Sequence, residues 1–334
     1  MWNTDCMNAP VTTTVVEKTG IITLDRPKAL NSLSGEMIDL IAAALDAWRG
    51  DEGIEQVVIQ SSGKHFCAGG DVRAAREGVL GGDAEGVDDF FEREYALNLA
   101  IDHYPKPYIA LVGGVDMGGG LGISAHGSHF VVAEGAFASM PEMNIGFVTD
   151  VGMSWKLQNL SVHPSLGLGT FLALTGYRMS ADDMLATGLA THKVASLEGL
   201  AERIAREGIG VLDEVAPAPG ESELEKLYGP VDEVFVGSWA EIRGRLGEYP
   251  ELAALTEELT AHASPSALVA SAELMRANSA CDLEGALRNE RALGAVLMRE
   301  PDFAEGVRAV LVDKSRDASF ALEPDPGKYR AALG

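Results

Sequence analysis

The chain has 334 residues, with 26 Lys and Arg against 50 Asp and Glu, for a formal charge of −24. That imbalance argues against general nucleic-acid binding and against docking on an anionic membrane, since both need clustered cations. A composition that is 46% hydrophobic and 23% charged is that of a folded globular protein, not a disordered one, and this length suits one large domain or two ordinary ones.

In chain order, residues 11–25 (VTTTVVEKTGIITLD) are two β-branched runs that break at Lys18, Thr19 and Gly20, the pattern of a hairpin, and Arg26 with Pro27 ends the second run. Ser34 is placed to cap a helix in which Met37, Ile38, Ile41, Leu45 and Trp48 recur at helical spacing and Gly50 makes the stop. Residues 57–59 read as a short buried strand, followed by a loop over 61–70. An amphipathic helix is predicted over 87–104, with Phe91, Tyr95, Leu99 and Ile101 on or near one face. Buried strands follow at 108–112 and 130–132, separated by a glycine-rich run over 113–122. Strand, glycine loop and helix thus occur twice in succession, which is an α/β layout with crossover connections. From about residue 165 the chain turns helical, with candidates at 166–174, 181–188 and 197–206. The PAPG run at 217–220 is the best boundary signal, and Ser264, Pro265 and Ser266 start a helix beyond it. The tail from about 315 is polar and contains Pro and Gly, the composition of a partly disordered end.

Cys6, Cys67 and Cys281 are far apart and form no CxxC pair, so neither a zinc knuckle nor a disulfide framework is indicated. There is no apolar run of about 18 residues and no basic leader followed by an apolar stretch; a cytoplasmic location is the expectation. GxGxxG, GxxxxGK[ST], GxSxG and HExxH are all absent. His126 and His129 are three apart, but with no third ligand nearby a strand-edge or core role is expected and no metal site.

Three strings carry chemistry. The first, KHFCAGGD at 64–71, joins a strand to a helix and leaves backbone N–H groups unobstructed at paired glycines. The second, GGVDMGGGLG at 113–122, does the same with three adjacent glycines, which are poor helix formers and are tolerated where something approaches the backbone closely. Two such corners are able to aim two N–H groups at a single oxygen, the geometry of an oxyanion hole. The third, MPEMNIGFVTDVG at 140–152, sets Glu142 and Asp150 in an apolar loop, where burial would raise a carboxyl pKa and favour acid–base work.

In order and spacing these strings resemble the crotonase (enoyl-CoA hydratase/isomerase) superfamily, from LDRPKALNSL at 24–33 to LTGYR at 174–178 and GLATH at 188–192. Within it the chain looks most like the 3-hydroxyisobutyryl-CoA hydrolases, on FCAGGDVR at 66–73, FFEREY at 90–95, MGGG at 117–120 with SAHG at 124–127, MPE at 140–142 and DVG at 150–152. The resemblance implies an α/β spiral of ββα units over residues 1–212, with a helical region over 213–334 that caps the site or builds an oligomer interface. It places the oxyanion-hole N–H groups at Gly70 and Gly119, the catalytic carboxylates at Glu142 and Asp150, and a substrate-contacting glutamate at Glu94. Ala68 would lie near the adenine of CoA, and Arg26, Lys28, Ala29 and Leu30 would line the CoA site. Hydratases of the superfamily carry a glutamate two residues after GGG, where this chain has Gly122, and that difference favours hydrolase over hydratase.

The expected reaction is hydrolysis of a short-chain hydroxyacyl-CoA, most similar to that of 3-hydroxyisobutyryl-CoA in valine breakdown. It would use no metal or redox cofactor, CoA being part of the substrate. Trimers or pairs of trimers are common in such relatives. Met153 and Trp155 replace a glycine-rich run and are expected to narrow the acyl pocket. The competing readings are an enoyl-CoA hydratase or isomerase and a catalytically silent CoA-binding protein; a nucleic-acid-binding role is disfavoured by the charge.

Overall fold

The computed structural model describes residues 9–217 and 219–333. Cys6 and Ala218 of the PAPG run lie outside these, as does most of the N-terminal segment read for a leader. The predicted hairpin is β1 (Val11–Val16) antiparallel to β2 (Thr19–Leu24), turning at Glu17 and Lys18. Parallel strands β3 (Gln56–Ser61) and β4 (Tyr108–Val112) follow, and β4 is buried along its whole length, as a strand covered on both faces must be.

Short strands that hydrophobic periodicity does not resolve complete the sheets. They are β5 (Val115–Met117), β7 (Phe137–Ser139), β8 (Met179–Ser180) and β9 (His192–Val194), with β6 (His129–Ala133) before β7. The large sheet runs β1-β2-β3-β4-β6-β9 and the small one β5-β7-β8. Each turn of the chain gives one strand to the large sheet and one to the small sheet before a helix: β4 then β5, and β6 then β7. After β3 the small-sheet position is taken by Cys67, which bridges in parallel to Asp116 of β5. This is a spiral of ββα units. Because β3, β4 and β6 are parallel, the loops after them leave from one edge, and all three chemistry-bearing strings emerge there.

Local signals hold where capping fixes them. The helix Gly35–Arg49 is capped by Ser34, whose hydroxyl accepts from the Met37 N–H, and it buries Met37, Ile38, Ile41 and Leu45. The helix predicted over 87–104 runs Ala84–Asp102, because the Asp83 side chain caps it earlier through Gly86 N–H. The one expected at 197–206 runs Leu200–Glu207, since Gly199 with φ +67° cannot lie inside it.

The C-terminal helices share the main hydrophobic core with the sheets. Phe91, Phe147 and Phe303 form a row with ring centroids 5.5 and 5.7 Å apart, joining the Ala84–Asp102 helix, the acidic loop and the helix Pro301–Val307. The tail expected to be partly disordered is instead anchored. Ser319 N–H donates to Glu305 and Ala321 N–H to Asp302, both at 2.9 Å, and Tyr329 in the helix Pro326–Ala332 is buried. Its backbone donors meet the buried Asp302 and the half-buried Glu305. Among the described residues no helix is long and apolar enough to cross a membrane.

Phe303 is fully buried, so Phe303→Ala should lower the free energy of unfolding by about 3–5 kcal/mol in urea titrations. A loss below about 1 kcal/mol would mean that the C-terminal helices do not belong to the cooperative core.

Candidate active site

The two glycine corners are stitched together by backbone hydrogen bonds. Leu33 N–H donates to Gly69 O at 2.9 Å and Asp71 N–H to Leu33 O at 2.8 Å, so the first corner lies along residues 30–33. Asn31 Nδ2 reinforces this by donating to His65 O and Phe66 O at 3.0 and 2.9 Å. Met117 N–H donates to Cys67 O at 3.0 Å, which brings the second corner against the first. A Cβ placed on Gly119 would lie only 3.1 Å from Gly70 N, so the two backbones touch. Among the described residues neither the Gly70 nor the Gly119 N–H has an acceptor, and Gly119 opens the helix Gly119–Ser124, where N–H groups have no partner within the helix.

Three carboxylates converge on the same cavity of about 1210 Å³, all of them buried. Glu142 opens the 3₁₀ turn Glu142–Ile145, and its Oε2 has no hydrogen-bond partner. Its Oε1 would lie 2.6 Å from a Cβ on Gly118, whose φ of +50° favours glycine there. Glu94 reaches in from the Ala84–Asp102 helix. Its Oε1 is also without a partner and would lie 2.4 Å from a Cβ on Gly119. Asp150 accepts a 2.7 Å hydrogen bond from the Tyr95 hydroxyl.

Among the described residues none of these three carboxylates has an ion-pair partner. Burial pushes the Glu94 and Glu142 carboxyls well above the usual range, and the neighbouring Asp150 carboxylate pushes both further. Burial raises Asp150 to about 7, against the hydrogen bond from Tyr95 that favours its ionised form. The cluster therefore holds protons near neutral pH, the condition for acid–base or nucleophilic work by carboxyl groups.

The place of the hydratase glutamate is structurally occupied. A Cβ on Gly122 would lie 2.7 Å from Asn98 Nδ2 and 2.8 Å from Val151 Cβ, so a larger side chain has no room. A second carboxylate nevertheless stands in the cavity, because Glu94 supplies it from another helix.

Arg26, Lys28, Ala29, Leu30 and Ala68 all line the cavity, together with Gly70, Glu94, Gly119, Glu142 and Asp150. Every predicted site residue thus comes to one place. Met153 and Trp155 do not: Met153 is fully buried in the core, Trp155 packs against it, and neither lines the cavity, so the expected narrowing of the acyl pocket is corrected. The turn after Asp150 directs the helix Met153–Lys156 away from the cleft. His126 is buried with Nε2 on Val151 O at 2.8 Å, and His129 begins β6. Among the described residues no group of His, Cys, Asp and Glu side chains is arranged to hold a metal ion.

Several contributors were not foreseen. Helical spacing marks Tyr95 as a core position, and no sequence pattern marks Asn98 or Glu290. Arg73 and Arg178 line the cavity from strings used only for the resemblance, and Lys314 and Arg316 reach it from the tail. The two tail cations both have left-handed backbone, at φ +57° and +56°, a signal that no sequence pattern announces.

A glycine-cornered spiral with buried carboxylates at its cleft is a defined class of protein. The family model described as enoyl-CoA hydratase/isomerase matches residues 19–324, and the chain belongs to that family. Among curated relatives it is 37% identical over 322 residues to the mitochondrial 3-hydroxyisobutyryl-CoA hydrolase of Xenopus tropicalis, covering 91% of this chain and 82% of that protein. It is 35% identical over 340 residues to the protein of the same name in Homo sapiens, covering 95% and 87%. Among solved structures, a carnitinyl-CoA dehydratase from Mycobacterium thermoresistibile superposes with a TM-score of 0.89 at 34% identity, covering 98% of this chain and 97% of that one. An enoyl-CoA hydratase from Rhodobacter sphaeroides gives 0.88 at 35%, covering 97% of both chains.

The raised carboxyl pKa values carry a stability consequence. Between the ordinary aspartate value of 3.8 and about 7, folded Asp150 keeps a proton that the unfolded chain releases, so its contribution is present at low pH and lost as pH rises through about 7. Thermal unfolding of Asp150→Asn should therefore fall less between pH 5 and pH 8 than that of the parent. Parallel profiles would show that Asp150 does not titrate in this window.

Proposed function

We propose that the protein hydrolyses a short-chain hydroxyacyl-CoA thioester, 3-hydroxyisobutyryl-CoA first among the candidates. The observation that carries this reading is the pairing of two free main-chain N–H groups, at Gly70 and Gly119, with the partnerless oxygen of buried Glu142 in one cavity. The thioester oxygen would sit between the two N–H groups, which stabilise its charge as the carbonyl becomes tetrahedral; a single donor of this kind is worth about 3–4 kcal/mol of barrier.

Glu142 has two chemically balanced routes. As nucleophile, in its ionised form, it adds to the carbonyl carbon, the C–S bond breaks, and the thiolate takes a proton from water and leaves as CoA; water or the hydroxide so formed then hydrolyses the mixed anhydride to the acid and the Glu142 carboxylate. As base it takes a proton from water as the hydroxide adds to the same carbon; the tetrahedral intermediate then breaks its C–S bond, and the departing thiolate takes that proton back from Glu142 and leaves as CoA. Asp150, fixed by Tyr95, would orient the 3-hydroxyl or the water, and Glu94 would hold the acyl end. The curated relatives named as hydrolases support this reading over most of their length.

The CoA phosphates would meet cations at the mouth. Arg26, Lys28, Arg73, Arg178, Lys314 and Arg316 all border the cavity, a local positive rim on an acidic protein. The double variant Lys314→Ala with Arg316→Ala should raise KM for acyl-CoA about tenfold, the equivalent of 1.4 kcal/mol, and less in high salt.

Hydration of an enoyl-CoA is the second reading, favoured by the solved neighbours and by Glu94, which restores a carboxylate pair without position 122. Thiol release from 3-hydroxyisobutyryl-CoA supports hydrolysis; loss of crotonyl-CoA absorbance without thiol release sinks it. Glu142→Gln should lose about 10²–10⁴-fold in kcat while still binding CoA. A single turnover in ¹⁸O-water separates the routes, since only the anhydride deposits label in Glu142.

A further inference from the structure

Asp150 stands at the start of a strained turn. The next residue, Val151, has φ +52°, a left-handed conformation that a β-branched residue adopts only when its surroundings impose it. Two groups impose it. The buried His126 ring, kept neutral because burial lowers its pKa to about 4, donates Nε2–H to Val151 O at 2.8 Å. The Glu290 carboxylate accepts from Gly152 N–H at 2.7 Å, from Ser154 N–H at 3.2 Å and from the Ser154 hydroxyl.

Glu290 belongs to the C-terminal helix Leu283–Leu297, so the bond to Gly152 spans 138 residues of sequence. It is fully buried, does not line the cavity and has no ion-pair partner among the described residues. Asn278, from the helix Pro265–Asn278, donates Nδ2 to Ser154 Oγ at 2.7 Å and closes the clasp. Burial raises this carboxyl to about 8 against the hydrogen bonds from Ser154 and Gly152; a buried acid without a cation is costly, and an apolar residue of similar size would fill the same space at lower cost. Only the turn needs its oxygens.

We infer that Glu290 is a positioning residue for the reaction: by binding the backbone of residues 152–154 it holds Val151 in its strained conformation, so that Asp150 meets Tyr95 and faces the cavity. The C-terminal helical region thereby completes the catalytic carboxylate cluster instead of only covering it. The inference rests on the proposed role of Asp150 in turnover, but the geometry it predicts does not.

Glu290→Gln keeps the shape and one acceptor oxygen, whereas Glu290→Ala removes the clasp. For Glu290→Gln the expected result is a melting temperature within a few degrees of the parent, CoA affinity and KM within twofold, and kcat reduced ten- to a hundredfold. Ser154→Ala, which leaves both backbone N–H bonds in place, should lose only a few-fold in kcat. A folded Glu290→Gln with kcat within twofold of the parent would overturn the inference, as would equal losses in kcat and in affinity.

A crystal structure of Glu290→Ala, or of Glu290→Gln if the first does not fold, gives a readout independent of activity. Val151 leaving the positive-φ region with opening of the 2.7 Å Tyr95–Asp150 bond supports the clasp, and an unchanged turn refutes it. If the parent releases no thiol from any hydroxyacyl-CoA, the hydrolase reading fails by itself, and this structural result still decides the role of Glu290.

Discussion

The site depends on the parallel bridge between Cys67 and Asp116. Parallel pairing of β3 with β4 brings their following loops to one edge, but without a direct link the two glycine corners would be neighbours and not partners. The bridge, with the Met117-to-Cys67 hydrogen bond beside it, brings Gly70 and Gly119 into backbone contact. Side chains are excluded at the contact from both directions, by Glu94 at Gly119 and by Glu142 at Gly118. The glycines therefore serve two ends at once: they free the N–H groups and they admit the carboxylates.

Gathering Glu94, Glu142 and Asp150 without a cation is costly to the fold. Isolated buried carboxylates are tolerated when they keep their protons or when hydrogen bonds replace water. Both devices operate here. Tyr95 donates to Asp150, while Glu94 and Glu142 keep oxygens without partners, which only a bound molecule or a proton would satisfy. Orphaned acceptors thus stand beside orphaned N–H donors in one cavity, the juxtaposition on which the proposed thioester chemistry rests. Apolar packing stands directly behind the site, where Phe91 and Phe147 line the cavity and Phe147 packs on the buried Phe303.

What was legible in the sequence was local. The hairpin, the Ser34 cap and the two strand–glycine–helix corners follow from neighbouring residues, and the structure has them. Glu142 and Asp150 were legible because acids in an apolar loop stand out. Tyr95, Asn98 and Glu290 were not, since each looks like a helix residue and acquires meaning only across long sequence separations, as when Glu290 meets Gly152. Met153 and Trp155 misled for the same reason: their nearness to Asp150 in sequence suggested nearness to the pocket, but Val151 and Gly152 with positive φ turn the chain back into the core. The polar tail misled because composition reports solvation and not the Asp302 and Glu305 acceptors that anchor it.

Net charge, finally, is a poor guide to what a cleft accepts. An excess of 24 negative charges is spread over the whole chain, and salt screens exposed charges beyond about 8 Å. A ligand in the cavity therefore experiences mainly the groups that line it, where six cations, Arg26, Lys28, Arg73, Arg178, Lys314 and Arg316, stand against five acids, Asp71, Glu94, Glu142, Asp150 and Glu258. Arg26 lies 3.8 Å from Asp71, and its Nη1 donates to Ser32 O, so this guanidinium is fixed before any ligand arrives. A chain with a large acidic excess can thus still line one cavity with cations. The cations come from four separate stretches of the chain, at 26–28, 73, 178 and 314–316, and it is the fold that gathers them on one cavity.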